Sequence, residues 1–183
     1  MAEDDAGAGA APEVDSAPPP GVEIRPGRPS DAASFLEMWR GVVEERRWVR
    51  TETVGGVRAY RRSFGESWSD ERARLLAVGP DGVVGIITIE RMTHPVNRHV
   101  ATLGMAVHSS WRGHGVGSAL MVEALRWARE SGVEKVTLEV YPGNDAAIAL
   151  YRKFGFVEEG RLARQTKKSY GYEDEVIMSR WLA

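Results

Sequence analysis

The stretch LGMAVHSSWRGHGVGSALM, residues 103 to 121, changes character at its centre. Its first part belongs to HVATLGMAVH (99–108), an apolar run that reads as a strand. Beyond it, Leu120, Ala124, Trp127 and Ala128 recur on one face of a helix over 116–131. Between the two lie Gly113, Gly115 and Gly117, at alternate positions behind Arg112. The first amides of a helix have no internal partner, and the helix dipole adds roughly half a positive charge there. Glycine removes the Cβ that would hold an anion off, and Arg112 offers a fork of donors. Strand, bare backbone and helix start together predict a diphosphate cradle. A Walker A loop is excluded, because Gly117 is followed by Ser118-Ala119 and not by Lys-Ser/Thr. A dinucleotide loop needs G-x-G-x-x-G. The spacing here is G-x-G-x-G, although Glu139 stands about where that motif wants an acid. A turn that merely permits close packing is the plainer reading.

Working outward, 183 residues suffice for one domain, and 43% hydrophobic residues suffice for its core. There is no cysteine, which excludes disulfides, thiolate zinc sites and a cysteine nucleophile. His94, His99, His108 and His114 lack metal-site spacing, so no metal is expected. No apolar run reaches the roughly 18 residues of a membrane span, and the N-terminus lacks the pattern of a secretory signal. A soluble, cytoplasmic protein is the expectation. Residues 1–21 hold Glu3, Asp4, Asp5, Glu13 and Asp15 without a basic residue, which leaves 21 acidic against 24 basic residues beyond them. That excess of about +3 suits a small anionic ligand and falls short of a nucleic-acid surface.

Residues 1–21 are acidic and rich in Ala, Pro and Gly, and are expected to be a disordered tail before a single domain over 22–183. In that domain, 22–28 reads as a strand. Ser30-Asp31 is expected to cap a helix through Val43, and a weaker helix follows over 56–67. Strands at 72–79 and 82–91 flank the turn Pro80-Asp81, and 99–108 is the third of the series. After helix 116–131 come a strand at 133–141, a helix from Asn144 to Phe154, and strands near 156–164 and 173–182 across a polar turn. The order β-α-α-β-β-β-α-β-α-β-β predicts an α/β (α+β) domain with a mixed sheet.

Two segments carry a family resemblance. Arg112, Gly115 and Gly117 fill the Arg/Gln-x-x-Gly-x-Gly/Ala core of the acetyl-CoA-binding motif of the GNAT superfamily of N-acetyltransferases. LEVYPGNDAAIALYRKFGF (138–156) resembles the next motif of that superfamily, with Asn144, Ala147, Tyr151, Lys153, Gly155 and Phe156 in register. The resemblance spans about residues 22–183. It implies a mostly antiparallel central sheet of about seven strands with helices on both faces, and acetyl-CoA as co-substrate. It also implies that backbone at Met105, Ala106 and Val107 pairs with the pantetheine arm. The amides of Arg112, Gly113, His114, Gly115, Val116, Gly117 and Ser118 would hold the diphosphate. Asn144 would contact pantetheine, and Lys153 a CoA phosphate, unless it is only part of a solvated helix face.

The resemblance further makes Tyr151 the acid that protonates the leaving thiolate. A phenol of pKa about 10 can serve a thiol near 8.5. Packing of Tyr151 against the sheet is the competing reading. The amine arrives as an ammonium and needs a base. Glu139 and Glu90 are the two candidates, since alternation alone leaves open which strand face borders the cleft. Direct attack on the thioester is the simplest mechanism for a chain without cysteine.

For the acceptor, the resemblance points to the linker RRWVRTET (46–53) and the final hairpin TKKSYGYE (166–173), with Trp48, Glu52 and Tyr170 as candidate contacts. Its overall spacing resembles the bacterial branch that acetylates amino acids and other small amines. A protein N-terminus or lysine is the alternative acceptor, and a non-catalytic acyl-CoA-binding module the alternative function. Besides the small amine, the one partner kept open is a second copy of the chain, as a homodimer.

Overall fold

The computed structural model describes Val14 and residues 16–182. Most of the tail expected over 1–21 therefore lies outside the described residues. The elements in chain order are β1 (Glu23–Pro26), α1 (Ala32–Glu44), α2 (Val57–Phe64), β2 (Arg72–Gly79), β3 (Gly82–Arg91), β4 (Val100–Val107), α3 (Val116–Glu130), β5 (Lys135–Val140), α4 (Asp145–Lys153), β6 (Val157–Lys168) and β7 (Gly171–Trp181). Seven strands form one sheet in the order β1-β2-β3-β4-β5-β7-β6. Every neighbouring pair is antiparallel except β4 and β5.

The near-continuous apolar runs of β2 and β3 follow from burial on both faces. Leu75, Ile87 and Ile89 turn toward the larger core, with Leu120, Met121, Trp127 and Phe154 of α3 and the end of α4. Leu76 and Ile86 turn the other way, toward Phe35, Met38 and Val42 of α1 and Phe64 of α2. Helices thus cover both faces, as the resemblance implied.

Two local expectations need correction. Asp31 makes no side-chain cap on α1. It ends a short 3₁₀ turn, Pro29–Asp31, with helical φ and ψ of its own. Its carboxylate therefore reaches backward, accepting from the Arg28 amide at 2.7 Å and from Arg25 at 2.7 and 2.9 Å. The Arg25 guanidinium holds Asp31 below the usual carboxylate range. The last hairpin is also longer than expected. β6 runs on to Lys168, and the turn shrinks to the residues between Lys168 and Gly171. A bulge between Leu162 and Thr166, with Arg164 at φ +53°, re-aims the strand.

The parallel pairing positions the site. It joins Val100–Leu103 to Lys135–Leu138 and stops there. β4 continues to Val107 with β3 still on its other edge, and β5 continues to Val140 beside β7. The two strand ends are thus left unpaired with each other, and a gap opens through the sheet.

Candidate active site

A cleft of about 1460 Å³ fills this gap. From the side of α3 and α4 it is lined by Arg112, Gly113, Gly115, Gly117, Ser118, Asn144, Tyr151 and Lys153, and along β4 by Met105, Ala106 and Val107. From the side of α1 and α2 it is lined by Trp39, Trp48, Arg50, Tyr60, Glu90, Glu139 and Glu175. The structure thus brings most of the sequence-derived site residues into one cavity.

The glycine turn fits an anionic ligand. The backbone amides from Gly113 to Ser118 donate to no backbone carbonyl among the described residues, and the first α3 bond runs from Ala119 N to Gly115 O at 3.0 Å. Gly113 and Gly115 have φ of +77° and +88°, and a Cβ at either would face open space. Gly117 differs. A Cβ there would stand 3.1 Å from Leu150 Cδ2 and 3.7 Å from Met105, so this glycine lets α3 pack against α4 and β4. Part of the packing reading therefore holds for one of the three.

Arg112 departs from expectation. Its guanidinium makes a two-pronged pair with Glu45 at 2.7 and 2.8 Å, and its Nε donates to Val107 O at 2.9 Å. The fork that was expected to point at a phosphate ties the end of β4 to the end of α1. His114 Nδ1 sits 2.9 Å from Arg112 O, and its side chain is not among the cleft-lining groups. The Val116 side chain is buried in the larger core, leaving only its backbone for a ligand.

Asn144 is the N-cap of α4, its side chain accepting from the Ala147 amide at 3.3 Å. That bond uses the oxygen and leaves the amide NH₂ as a donor on the cleft side. About two turns along α4, Tyr151 is buried to 6% exposure and packs on Phe156. Burial pushes its phenol up to about 12.

Strand alternation settles where the two candidate bases face. Val136, Leu138 and Val140 point into the core under α3. Glu139 therefore points the other way, and there it pairs with Arg50. On β3, Ile87 and Ile89 occupy the α3 side, so Glu90 shares Glu139's face. It pairs with Arg72 at 3.0 Å. Glu139 cannot serve a ligand on the glycine turn from that face, which removes its support for the dinucleotide reading.

Arg50 and Glu175 were not singled out in the sequence. Arg50 Nε donates to Glu175 at 2.8 Å, and its Nη2 bonds both Glu175 and Glu139. Thr166 also donates to Glu175. The Arg50 guanidinium, aided by Thr166, holds the buried Glu175 carboxyl below the usual range, against the opposing effect of burial. Tyr141 lines the same wall, its hydroxyl buried and without a partner among the described residues, and burial raises its pKa. No periodic signal pairs Arg50 with Glu175, because they lie 125 residues apart. Glu175 is the last of three consecutive acids, Glu173-Asp174-Glu175, so nothing local marks it as the buried one that requires a distant cation.

Trp48 lines the cleft, with Arg47 stacked 4.3 Å from its ring centre. Glu52 and Tyr170 do not line it. Glu52 accepts from Ser169 at 2.7 Å, which holds its carboxyl low, and Tyr170 donates to Arg46 O at 3.1 Å. With Lys168, which donates to Val49 O, they fasten the α1–α2 loop to the β6–β7 hairpin. Among the described residues no cluster of His, Asp and Glu could hold a metal, and no helix is long and apolar enough to cross a membrane.

Comparison with known proteins agrees with this geometry. Residues 39–156 match the acetyltransferase (GNAT) family. The L-amino acid N-acetyltransferase AaaT of Escherichia coli (strain K12) is 36% identical over 111 residues, 58% of this chain and 67% of that one. The N-alpha-acetyltransferase RimI of Mycobacterium tuberculosis is 42% identical over 88 residues, 48% of this chain and 52% of that one. The chain spans less than half the length of several mycothiol acetyltransferases that it also resembles. A GNAT superfamily phosphinothricin acetyltransferase of Sinorhizobium meliloti, solved in complex with acetyl-CoA, shares the fold at a TM-score of 0.79, with 21% identity and 89% of each chain covered. With an open cradle at the glycine turn and a gap between β4 and β5, the chain belongs to the GNAT acetyltransferase family, N-acetyltransferases that use acetyl-CoA.

Proposed function

We propose that the protein transfers an acetyl group to the primary amine of a small molecule, by direct attack on the thioester. One observation carries the reading. Tyr151 and Glu139 enter the same cleft from opposite faces of the sheet, at the point where β4 and β5 part.

Bound acetyl-CoA supplies the activated acetyl thioester. The amides from Gly113 to Ser118 would receive its diphosphate, and the edge of β4 from Gly104 to Val107, unpaired with β5, would run beside its arm. Glu139 takes the first proton from the ammonium, the N–C bond forms as the C–S bond breaks, and the second proton that nitrogen sheds on becoming an amide replaces the one Tyr151 gives the sulfur. Tyr151 Oη holds the proton for the sulfur. A phenol near 12 facing a thiol near 8.5 would make full transfer about 5 kcal/mol uphill if that sulfur stood in water. The burial that raises Tyr151 also disfavours a bare thiolate beside it, which narrows that difference. The raised value keeps the proton on Tyr151 at every working pH.

The alternative acceptor, a protein N-terminus, draws its support from the similarity to RimI. A thermal-shift titration with acetyl-CoA beside NAD tests the donor. A thiol-release screen over amino acids, polyamines and peptides then tests the acceptor. Release with small amines and none with peptides is the expected result. A stabilising shift with acetyl-CoA but release with no amine would favour a non-catalytic acyl-CoA-binding module.

A further inference from the structure

One guanidinium on the α1–α2 side of the cleft serves two carboxylates. Arg50 reaches in from the α1–α2 loop and bonds Glu139 and Glu175 at once. Strand pairing brings the two acids within its reach. Glu139 stands opposite Ile177 on β7, and Glu175 lies two residues from Ile177 on the same face. Their surroundings differ. The Glu175 side chain is 2% exposed, takes Nε and Nη2 of Arg50 together, and accepts a third bond from Thr166. The Glu139 side chain is 38% exposed where β4 and β5 part, and takes only Nη2.

Charge balance gives the two acids different work. With both carboxylates ionised, two negative charges meet one positive charge, and the cluster is net negative. Glu175 grips the guanidinium by two nitrogens from the buried side, and Arg50 and Thr166 keep it ionised in return. The uncompensated charge therefore falls to Glu139, on the cleft side, where an ammonium arrives. Neighbouring charges are engaged elsewhere. Lys168 donates to Val49 O and acts on Glu52. Glu90 pairs with Arg72 at 3.0 Å, and Arg74 donates to the carbonyls of Ser63 and Glu66 at 3.4 Å. Without Glu175 the same guanidinium would neutralise Glu139, and the cluster would hold no net charge for the ammonium. A buried ion pair adds little stability over an apolar pair of the same volume, so stability alone does not account for a carboxylate at this position.

We propose that Glu175 is a positioning residue for the acetyl transfer. It offsets Arg50, so that the guanidinium orients Glu139 without neutralising it, and the acceptor ammonium meets a net negative site. This rests on the acetyl-transfer reading above, with Glu139 as the base.

The test is thiol release at saturating acetyl-CoA, with whichever of L-leucine, L-leucinamide and putrescine the wild-type protein uses best. Glu175→Gln keeps the size of the side chain and leaves Arg50 and Glu139 as a neutral pair. We expect KM for the amine to rise about tenfold, with a smaller fall in kcat, the scale of losing one unit charge beside an ammonium in a half-exposed site. Removing the surplus cation as well, in Glu175→Gln/Arg50→Gln, should recover most of that loss, because Glu139 again carries the net charge. Glu175→Gln/Arg50→Lys keeps the surplus cation and should recover little. The acetyl-CoA thermal shift depends on the opposite face of the sheet, and should persist in each variant. Rescue by lysine as complete as by glutamine would make the effect one of packing, which overturns the inference. So does an unchanged KM in Glu175→Gln, or a Glu139→Gln protein as active as the wild type. Each of these leaves the acetyl-transfer reading standing. Acetyl-CoA binding with transfer to no amine overturns that reading, and this inference with it.

Discussion

Glu139 lies one residue beyond the last paired position of β4 and β5, whereas Glu90 stands opposite Thr102, inside the paired stretch. Both carboxylates face the same side of the sheet. Only the first is at the mouth of the gap. Glu139→Gln is therefore expected to lower kcat/KM by about a hundredfold near neutral pH, the usual scale for losing a general base. Part of that loss should return at high pH, where the amine sheds its proton unaided. Glu90→Gln should cost about tenfold or less. Parallel pH–rate profiles check both, and a larger loss at Glu90 would reverse the assignment.

Tyr151→Phe should lower kcat by about a hundredfold or more while leaving acetyl-CoA affinity within a few-fold. Single-turnover rates and calorimetric binding separate the two. Equal losses in both would make Tyr151 a packing residue.

The same tyrosine gives a prediction about stability. Its folded pKa, about 12, lies above the unfolded value near 10. A raised pKa contributes stability that is complete below the unfolded value and is lost as pH rises through the folded one. The native protein should thus lose up to about 3 kcal/mol from this group between pH 10 and 12. Tyr151→Phe should flatten that part of the curve. Urea midpoints at pH 9 and 11 for both proteins measure it.

The three glycines should separate by experiment. Gly115→Glu sets a negative charge in the open space over the turn, and should abolish the acetyl-CoA thermal shift while the protein stays folded. Gly117→Ala presses on Leu150 and Met105, and should cost about 1 kcal/mol of stability with acetyl-CoA binding retained. Denaturant melts and ligand shifts, run together, distinguish the two effects.

Much of this was legible in the chain itself. The element order, the seven strands and the cradle between β4 and α3 follow from periodicity and three glycines, because those signals are local. Asn144 is likewise local, a capping side chain three residues ahead of the amide it holds. Long-range pairing was not legible. Arg112 looks free in sequence and is held by Glu45, 67 residues earlier. Glu52 looks like an acceptor contact and is spent on Ser169, 117 residues later. The end of β6 was missed because QTKK has no apolar alternation. An edge strand with little to bury is defined by its backbone partner, not by its side chains.

The wall opposite the glycine turn has a consequence for engineering. Its loop is stitched to the final hairpin through Lys168–Val49, Ser169–Glu52, Tyr170–Arg46 and Glu175–Arg50, contacts that bridge 117 to 125 residues of chain. Neither segment is a portable module. Transplanting residues 45–56 alone into a related scaffold would strand the Arg50 guanidinium, the Glu52 carboxylate and the carbonyls of Arg46 and Val49 without their mates. Acceptor preference in this lineage should change by paired substitutions across the two segments, and a chimera that exchanges both together should outperform either single exchange.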